Sequence, residues 1–142
     1  VDSIVRDTVA AGAQLRAGGT ADRLFYRPTV LAGVGPGMRA FDEEIFGPVA
    51  PVTVYADEAE ALRLADAGDY GLSAGIITGS AARGMEFAAQ LRTGLVHVND
   101  QTVNDEPWAP FGGTGASGNG SRHGGPANWD KFTQWQWVTV KH

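Results

Sequence analysis

Between residues 49 and 98 the hydrophobic pattern switches repeatedly between strand-like and helix-like periods, and that alternation narrows the folds open to this chain. Residues 49–55 read as a Val-rich strand. Asp57 then stands where an N-cap belongs, with Glu60 three residues on in capping-box spacing. Ala59, Leu62 and Ala65 share one helical face, and Gly68 closes the segment. Residues 73–78 form an apolar strand. Ser80 caps a second helix that turns Phe87, Ala88 and Leu91 inward, and Gly94 ends it. Residues 95–98 are a third strand. Strand, helix, strand, helix, strand at this spacing is a βαβαβ unit, whose short connections give parallel strands with right-handed crossovers. The unbroken apolar run Gly75-Ile76-Ile77 fits a sheet covered on both faces. The expected class is α/β with a parallel-sheet core.

The flanks read differently. Residues 1–11 carry Val1, Ile4, Val5, Val9 and Ala10 at helical spacing, with Gly12 as the stop. Residues 13–17 are a short strand ended by Gly18-Gly19. Residues 25–34 are β-rich around Pro28, which predicts an extended edge segment. Residues 103–128 are loop-like, dense in Gly, Pro and Asn. Residues 132–140 alternate, with Phe132, Gln134, Gln136, Val138 and Val140 on one face and Thr133, Trp135, Trp137 and Thr139 on the other. That is a strand pattern. Large apolar groups on both faces imply that one meets something other than this domain. The expected division is an α/β domain over residues 1–128, which the resemblance given below makes part of a catalytic domain, and a terminal strand segment over 129–142.

Composition excludes several functions. Of 142 residues, 43% are hydrophobic and 19% charged, as in a globular domain. The net charge is −5 and Lys occurs only at Lys131 and Lys141, so the basic face of a nucleic-acid binder is missing. There is no cysteine, hence no disulfide and no thiolate metal ligand. Neither H-x-x-x-H nor H-E-x-x-H spacing occurs, and no metal site is expected. No apolar run is long enough to span a bilayer. No basic n-region precedes an apolar h-region, and the expected compartment is cytoplasmic. The first residue is Val1, inside an apparent helix, which leads us to expect a fragment or a processed chain.

Two strings carry the chemistry. The first is Glu43-Glu44-Ile45-Phe46-Gly47-Pro48. Neighbouring residues on an extended chain point to opposite sides, so at most one of the two carboxylates enters a given site. Taken alone, the pair reads as a solvated acidic turn. The second string is Pro110-Phe111-Gly112-Gly113-Thr114-Gly115-Ala116-Ser117-Gly118. It contains a formal G-x-G-x-x-G at Gly113, Gly115 and Gly118. A dinucleotide fingerprint follows a strand and opens a helix, whereas this one follows a proline-bearing loop, so it is a decoy. Taken alone, Phe111 plugs a core under a glycine-rich loop. His97 lies in a strand and reads as a packed histidine. His123 lies in the Gly loop, and His142 is terminal. Asn119-Gly120-Ser121 is a chance glycosylation sequon. Trp129, Trp135 and Trp137 read as packing residues, inside the subunit or at an interface.

In that order and separation, the two strings resemble the C-terminal part of the NAD(P)-dependent aldehyde dehydrogenases. The resemblance extends through Tyr70-Gly71-Leu72-Ser73-Ala74, the strand ending at Asn99, and Trp137-Val138-Thr139-Val140. Ala109-Pro110-Phe111-Gly112-Gly113, Gly120-Ser121-Arg122-His123-Gly124-Gly125 and Phe132-Thr133 look most like the benzaldehyde and vanillin dehydrogenase branch, which handles aromatic aldehydes. The resemblance implies that Glu44 holds the hydroxyls of the nicotinamide ribose and that Phe46 packs beside the nicotinamide ring. It implies a substrate wall at Val103, Asn104 and Phe111, with NAD or NADP bound mostly by polypeptide upstream of Val1. The family works through a cysteine nucleophile, a water-activating glutamate and an oxyanion-hole asparagine, all expected upstream too. The chain alone is therefore expected to be inactive. The terminal strand would join a neighbouring subunit's sheet in a homodimer or homotetramer. The alternatives are a stand-alone assembly module that pairs through its tail, and a cofactor-binding domain in its own right.

Overall fold

The structure is a computed structural model that describes residues 1–141. The chain divides into two compact units, one over Val1–Gly68 and one from Asp69 onward.

The first unit opens with α1 (Asp2–Ala10), followed by β1 (Gln14–Ala17), the small hairpin β2 (Ala21–Asp22) and β3 (Phe25–Tyr26), and then β4 (Thr29–Ala32). A short helix α2 (Arg39–Asp42) precedes β5 (Val49–Val52), and α3 (Glu58–Ala65) closes the unit. The sheet order is β1-β4-β5. β4 pairs antiparallel with β1 and parallel with β5, in the register Thr29↔Val49 to Ala32↔Val52. The expected edge segment is thus the central strand of its sheet. The reason is the position of Pro28: it precedes β4, where its missing N–H costs the ladder nothing.

Ile4, Val5, Ala13, Leu31, Val34 and Ala40 form the buried core, with Leu31 wholly enclosed. Tyr26, Met38, Phe41, Ile45 and Val49 pack around it. The apolar stripe of α1 supplies Ile4 and Val5 to this core, as its periodicity requires. Thr8, also enclosed, turns its hydroxyl to α2: Oγ1 accepts from the Ala40 backbone N–H at 3.0 Å. α2 has no side-chain cap of its own, so Thr8 does the capping from another helix. On α3 the cap is local. Asp57 accepts from Glu60 N at 2.8 Å, while Glu60 reaches back to Ala56 N at 2.8 Å.

The second unit contains β6 (Tyr70–Gly71), β7 (Ser73–Ile76), α4 (Ala81–Ala88), β8 (Leu95–Val98), β9 (Thr114–Gly115) and α5 (Ala127–Phe132). β7 and β8 are parallel, from Ser73↔Leu95 to Ile76↔Val98, with α4 as the connection between them. β6 pairs antiparallel with β9. Gly84 lets α4 lie close on β8: a Cβ there would stand 2.5 Å from Val98 Cγ1.

The class is mixed α/β, with two parallel pairs instead of one three-strand ladder. β5 pairs with β4, and β7 with β8. Pro48 and Val52 carbonyls accept from the β4 side, so Pro51, at odd spacing from them, turns its N–H-less nitrogen to the opposite edge of β5. A proline on that edge discourages a further strand. The terminal segment also departs from expectation. Phe132 ends α5, and residues 133–141 pair with no strand among the described residues. An alternating segment becomes a strand only when a partner backbone takes its hydrogen bonds. His142 lies outside the described residues.

Candidate functional site

The first string closes α2. Glu43 caps it in extended conformation, at φ −108° and ψ 146°, and directs the chain toward β5. Arg39, one helical turn back, holds Glu43 by both oxygens: Nε donates to Oε1 at 2.6 Å and Nη2 to Oε2 at 2.8 Å. Its Nη1 donates to Asp7 Oδ2 on α1 at 2.6 Å. The hydrogen bonds from Arg39 hold the Glu43 carboxyl below the usual carboxylate range, and those same bonds, first to Glu43 and then to Asp7, raise Arg39.

Glu44 differs from its neighbour. It is exposed and makes no hydrogen bond or ion pair with the described residues. Ile45 turns inward against the core. Phe46 turns outward and is 89% exposed. Pro48 O then accepts from Thr29 N at 2.8 Å, which starts the β4–β5 ladder. The string thus pins its ends to the fold and leaves one carboxylate and one aromatic ring free. A free carboxylate has acceptor positions on both oxygens and suits a vicinal diol. A free phenylalanine face suits a flat ring.

The second unit holds the expected substrate wall. Asn99 follows β8, and its left-handed backbone, φ 58°, lets its Oδ1 accept from Thr78 N at 2.7 Å. The ends of β7 and β8 are thereby tied. Asp100 next accepts from Gln101 N at 2.8 Å and Asn104 Nδ2 at 2.7 Å, and those bonds, the backbone one foremost, keep its carboxyl below the usual range. Ser73 Oγ donates to Thr102 O at 2.6 Å. Asn104 and Phe111 line one cavity of about 190 Å³, together with His97, Glu106 and Pro110. Val103 is not among its lining residues and stands 74% exposed.

Phe111 is held on its other side. Its N–H donates to His123 O at 2.6 Å and the His123 N–H returns to Phe111 O at 3.0 Å. The two rings lie 5.1 Å apart at 54°. Both also border a second cavity of about 420 Å³ with Asp105, Glu106 and Asn128. The glycine string beyond Phe111 folds on itself. A Cβ on Gly118 would stand 2.0 Å from Gly113 O, and one on Gly113 would stand 2.3 Å from Ser117 O. Gly115 of β9 pairs with Tyr70 of β6. No helix opens there, so this G-x-G-x-x-G packs backbone on backbone and does not cradle phosphate.

Sequence reasoning missed the Arg39 fork, although the i,i+4 spacing of Arg39 and Glu43 on a helix was a legible signal. It also missed His97 as a cavity residue. His97 is packed in β8 as expected, yet its Nε2 is buried without a hydrogen-bond partner, and no sequence signal pointed to the cavity. Among the described residues, no cluster of His, Asp or Glu could hold a metal.

Residues 1–138 match the model of the aldehyde dehydrogenase family. A vanillin dehydrogenase from Amycolatopsis is 54% identical over 142 residues, covering 99% of this chain and 29% of the relative. A benzaldehyde dehydrogenase [NAD(+)] from Pseudomonas putida is 50% identical, again over 99% of this chain and 29% of its own length. Among solved structures, a Pseudomonas putida salicylaldehyde dehydrogenase complexed with salicylaldehyde superposes with TM-score 0.91 at 36% identity, over 99% of this chain and 29% of that one. A Mycobacterium tuberculosis aldehyde dehydrogenase complexed with NAD+ gives 0.86 at 33% identity, over 94% and 28%. The chain therefore spans under a third of the length of the relatives it matches. A match over nearly all of its residues, joined to a mixed α/β fold that superposes on solved members, establishes that this chain belongs to the aldehyde dehydrogenase family.

Proposed function

We propose that this chain is the ribose-holding and substrate-walling portion of an enzyme that oxidises an aromatic aldehyde to its carboxylic acid with NAD(P)+. The observation that carries the reading is the unequal treatment of two adjacent carboxylates: Glu43 is tied by both oxygens, and Glu44 is left without a partner. Glu44 would accept from the two ribose hydroxyls, and the exposed Phe46 ring would lie along the nicotinamide. The cofactor, when bound, supplies the hydride acceptor. Asn104 and Phe111 would wall the aldehyde, one with an amide and one with a ring, and Val103 would extend that wall. The aromatic preference is supported by the relatives named for vanillin and benzaldehyde. The chain contains no cysteine, so the family's nucleophile must come from other polypeptide, and the chain alone does not turn over.

The test is Glu44→Gln in the intact enzyme, followed by single-turnover NADH formation. Glutamine keeps one acceptor oxygen and loses the charge, which removes a charge-assisted bond and slows hydride transfer about 10-fold. Unfolding temperature stays near that of the parent protein. A hydride-transfer rate equal to the parent's refutes the ribose role. The same assay on the 142-residue chain alone should yield no NADH, and NADH formation there would overturn its dependence on other polypeptide.

The tail belongs to this reading as an assembly element. Trp135, Trp137, Val138 and Val140 are all exposed, at 102%, 89%, 71% and 73%. An alternating segment with this much bare apolar surface is completed by a strand edge of another subunit, giving a homodimer or homotetramer. Deleting residues 134–142 should reduce the mass measured by analytical ultracentrifugation to that of one subunit. An unchanged oligomer would place assembly elsewhere.

A further inference from the structure

Adjacent carboxylates on an extended backbone point to opposite sides, and the fold ties one of this pair back while leaving the other bare. Arg39 spends one guanidinium on three jobs. It sits at the first position of α2, it holds both oxygens of the residue that ends α2, and it reaches Asp7 on α1. Two parallel bonds to one carboxylate fix both direction and distance, which a single contact from a lysine cannot do. The Asp7 arm anchors the fork to the helix whose Ile4 and Val5 lie in the core. A bidentate, networked arginine also contributes some stability, so a positioning role must show in hydride transfer and not only in unfolding.

We infer that Arg39, braced by Asp7, is a positioning residue for the cofactor: by tying Glu43 back to α2 it fixes the backbone that points Glu44 at the ribose. This rests on the ribose role proposed for Glu44. Releasing the fork unties the Glu43 side chain from α2. It also loosens the backbone that carries Glu44. Misplacing a positioned group by about 1 Å can cost on the order of 100-fold in rate.

A double-mutant cycle in the intact enzyme tests it, with Arg39→Met, Glu44→Gln and the pair. The readouts are the single-turnover rate of hydride transfer and KM for NAD+. Arg39→Met should slow hydride transfer about 10-fold, a milder version of that positioning loss. In the Glu44→Gln background it should cost under about 2-fold, because residues acting through one contact are not additive. Asp7→Asn removes only the outer arm, should act in the same direction more weakly, and serves if Arg39→Met does not fold. Equal losses in both backgrounds mean a general structural role and overturn the inference. A normal rate for both Arg39→Met and Asp7→Asn, with Glu44→Gln still impaired, overturns it and leaves the ribose role standing. A normal rate for Glu44→Gln overturns both.

Discussion

Replacing Gly84 by alanine sets two known effects against each other, and the geometry decides between them. Gly84 lies within α4 and is buried against β8. In an exposed helix the change would stabilise by about 1 kcal/mol, because alanine loses less backbone entropy. Here the new methyl would stand 2.5 Å from Val98 Cγ1, 3.0 Å from Thr78 Cγ2 and 3.4 Å from Val98 Cγ2. Carbon atoms prefer about 3.5–4.0 Å, so the helix must retreat by about 1 Å or Val98 must leave its rotamer. A β-branched side chain in a strand yields poorly at χ1. Overpacking of this kind costs about 1–3 kcal/mol. Taking the middle of that range and subtracting the helix gain leaves a net loss of about 1 kcal/mol, or roughly a five-fold rise in local opening. Hydrogen exchange at the amides of α4 and β8 in the intact protein reads that number directly. Val98→Ala removes two of the three offending contacts, so in its background Gly84→Ala should cost measurably less. Increased protection in the single Gly84→Ala protein would refute the steric argument.

The other predictions concern the face that presents the acidic pair and the assembly of subunits. Thr8→Val keeps the shape of an enclosed side chain but leaves the Ala40 N–H, at the start of α2, without its acceptor. The expected loss is about 1–3 kcal/mol, read as a drop in unfolding temperature, and Thr8→Ser, which keeps the oxygen, should lose less. Parity of Val with Ser at this position would rule out capping by Thr8. Glu44→Gln, the Arg39 cycle and the tail deletion test cofactor placement, its positioning and the oligomer in turn.

What could be read from residues alone was whatever local chemistry decides. Gly12 and the apolar stripe before it mark α1. Asp57 and Ser80 are helix caps at the expected places, accepting from Glu60 N and Arg83 N. The second string was legible as a false fingerprint because no helix signal follows it, and its glycines do pack on one another. Edge or centre could not be read for β4, since that depends on which strands arrive beside it. Pro28 looked like an edge marker and is a strand-entry residue.

The sequence by itself determined the family, the helix starts and the two strings that carry the chemistry, because caps, periods and motif spacing act within a few residues. Tertiary structure alone decided which strands pair and what braces the Arg39 fork. Those outcomes depend on groups far apart in the chain, such as Asp7 meeting Arg39, and no window of neighbouring residues contains them. The tail marks the same boundary: its alternation is written locally, but a strand exists only where another backbone accepts its hydrogen bonds.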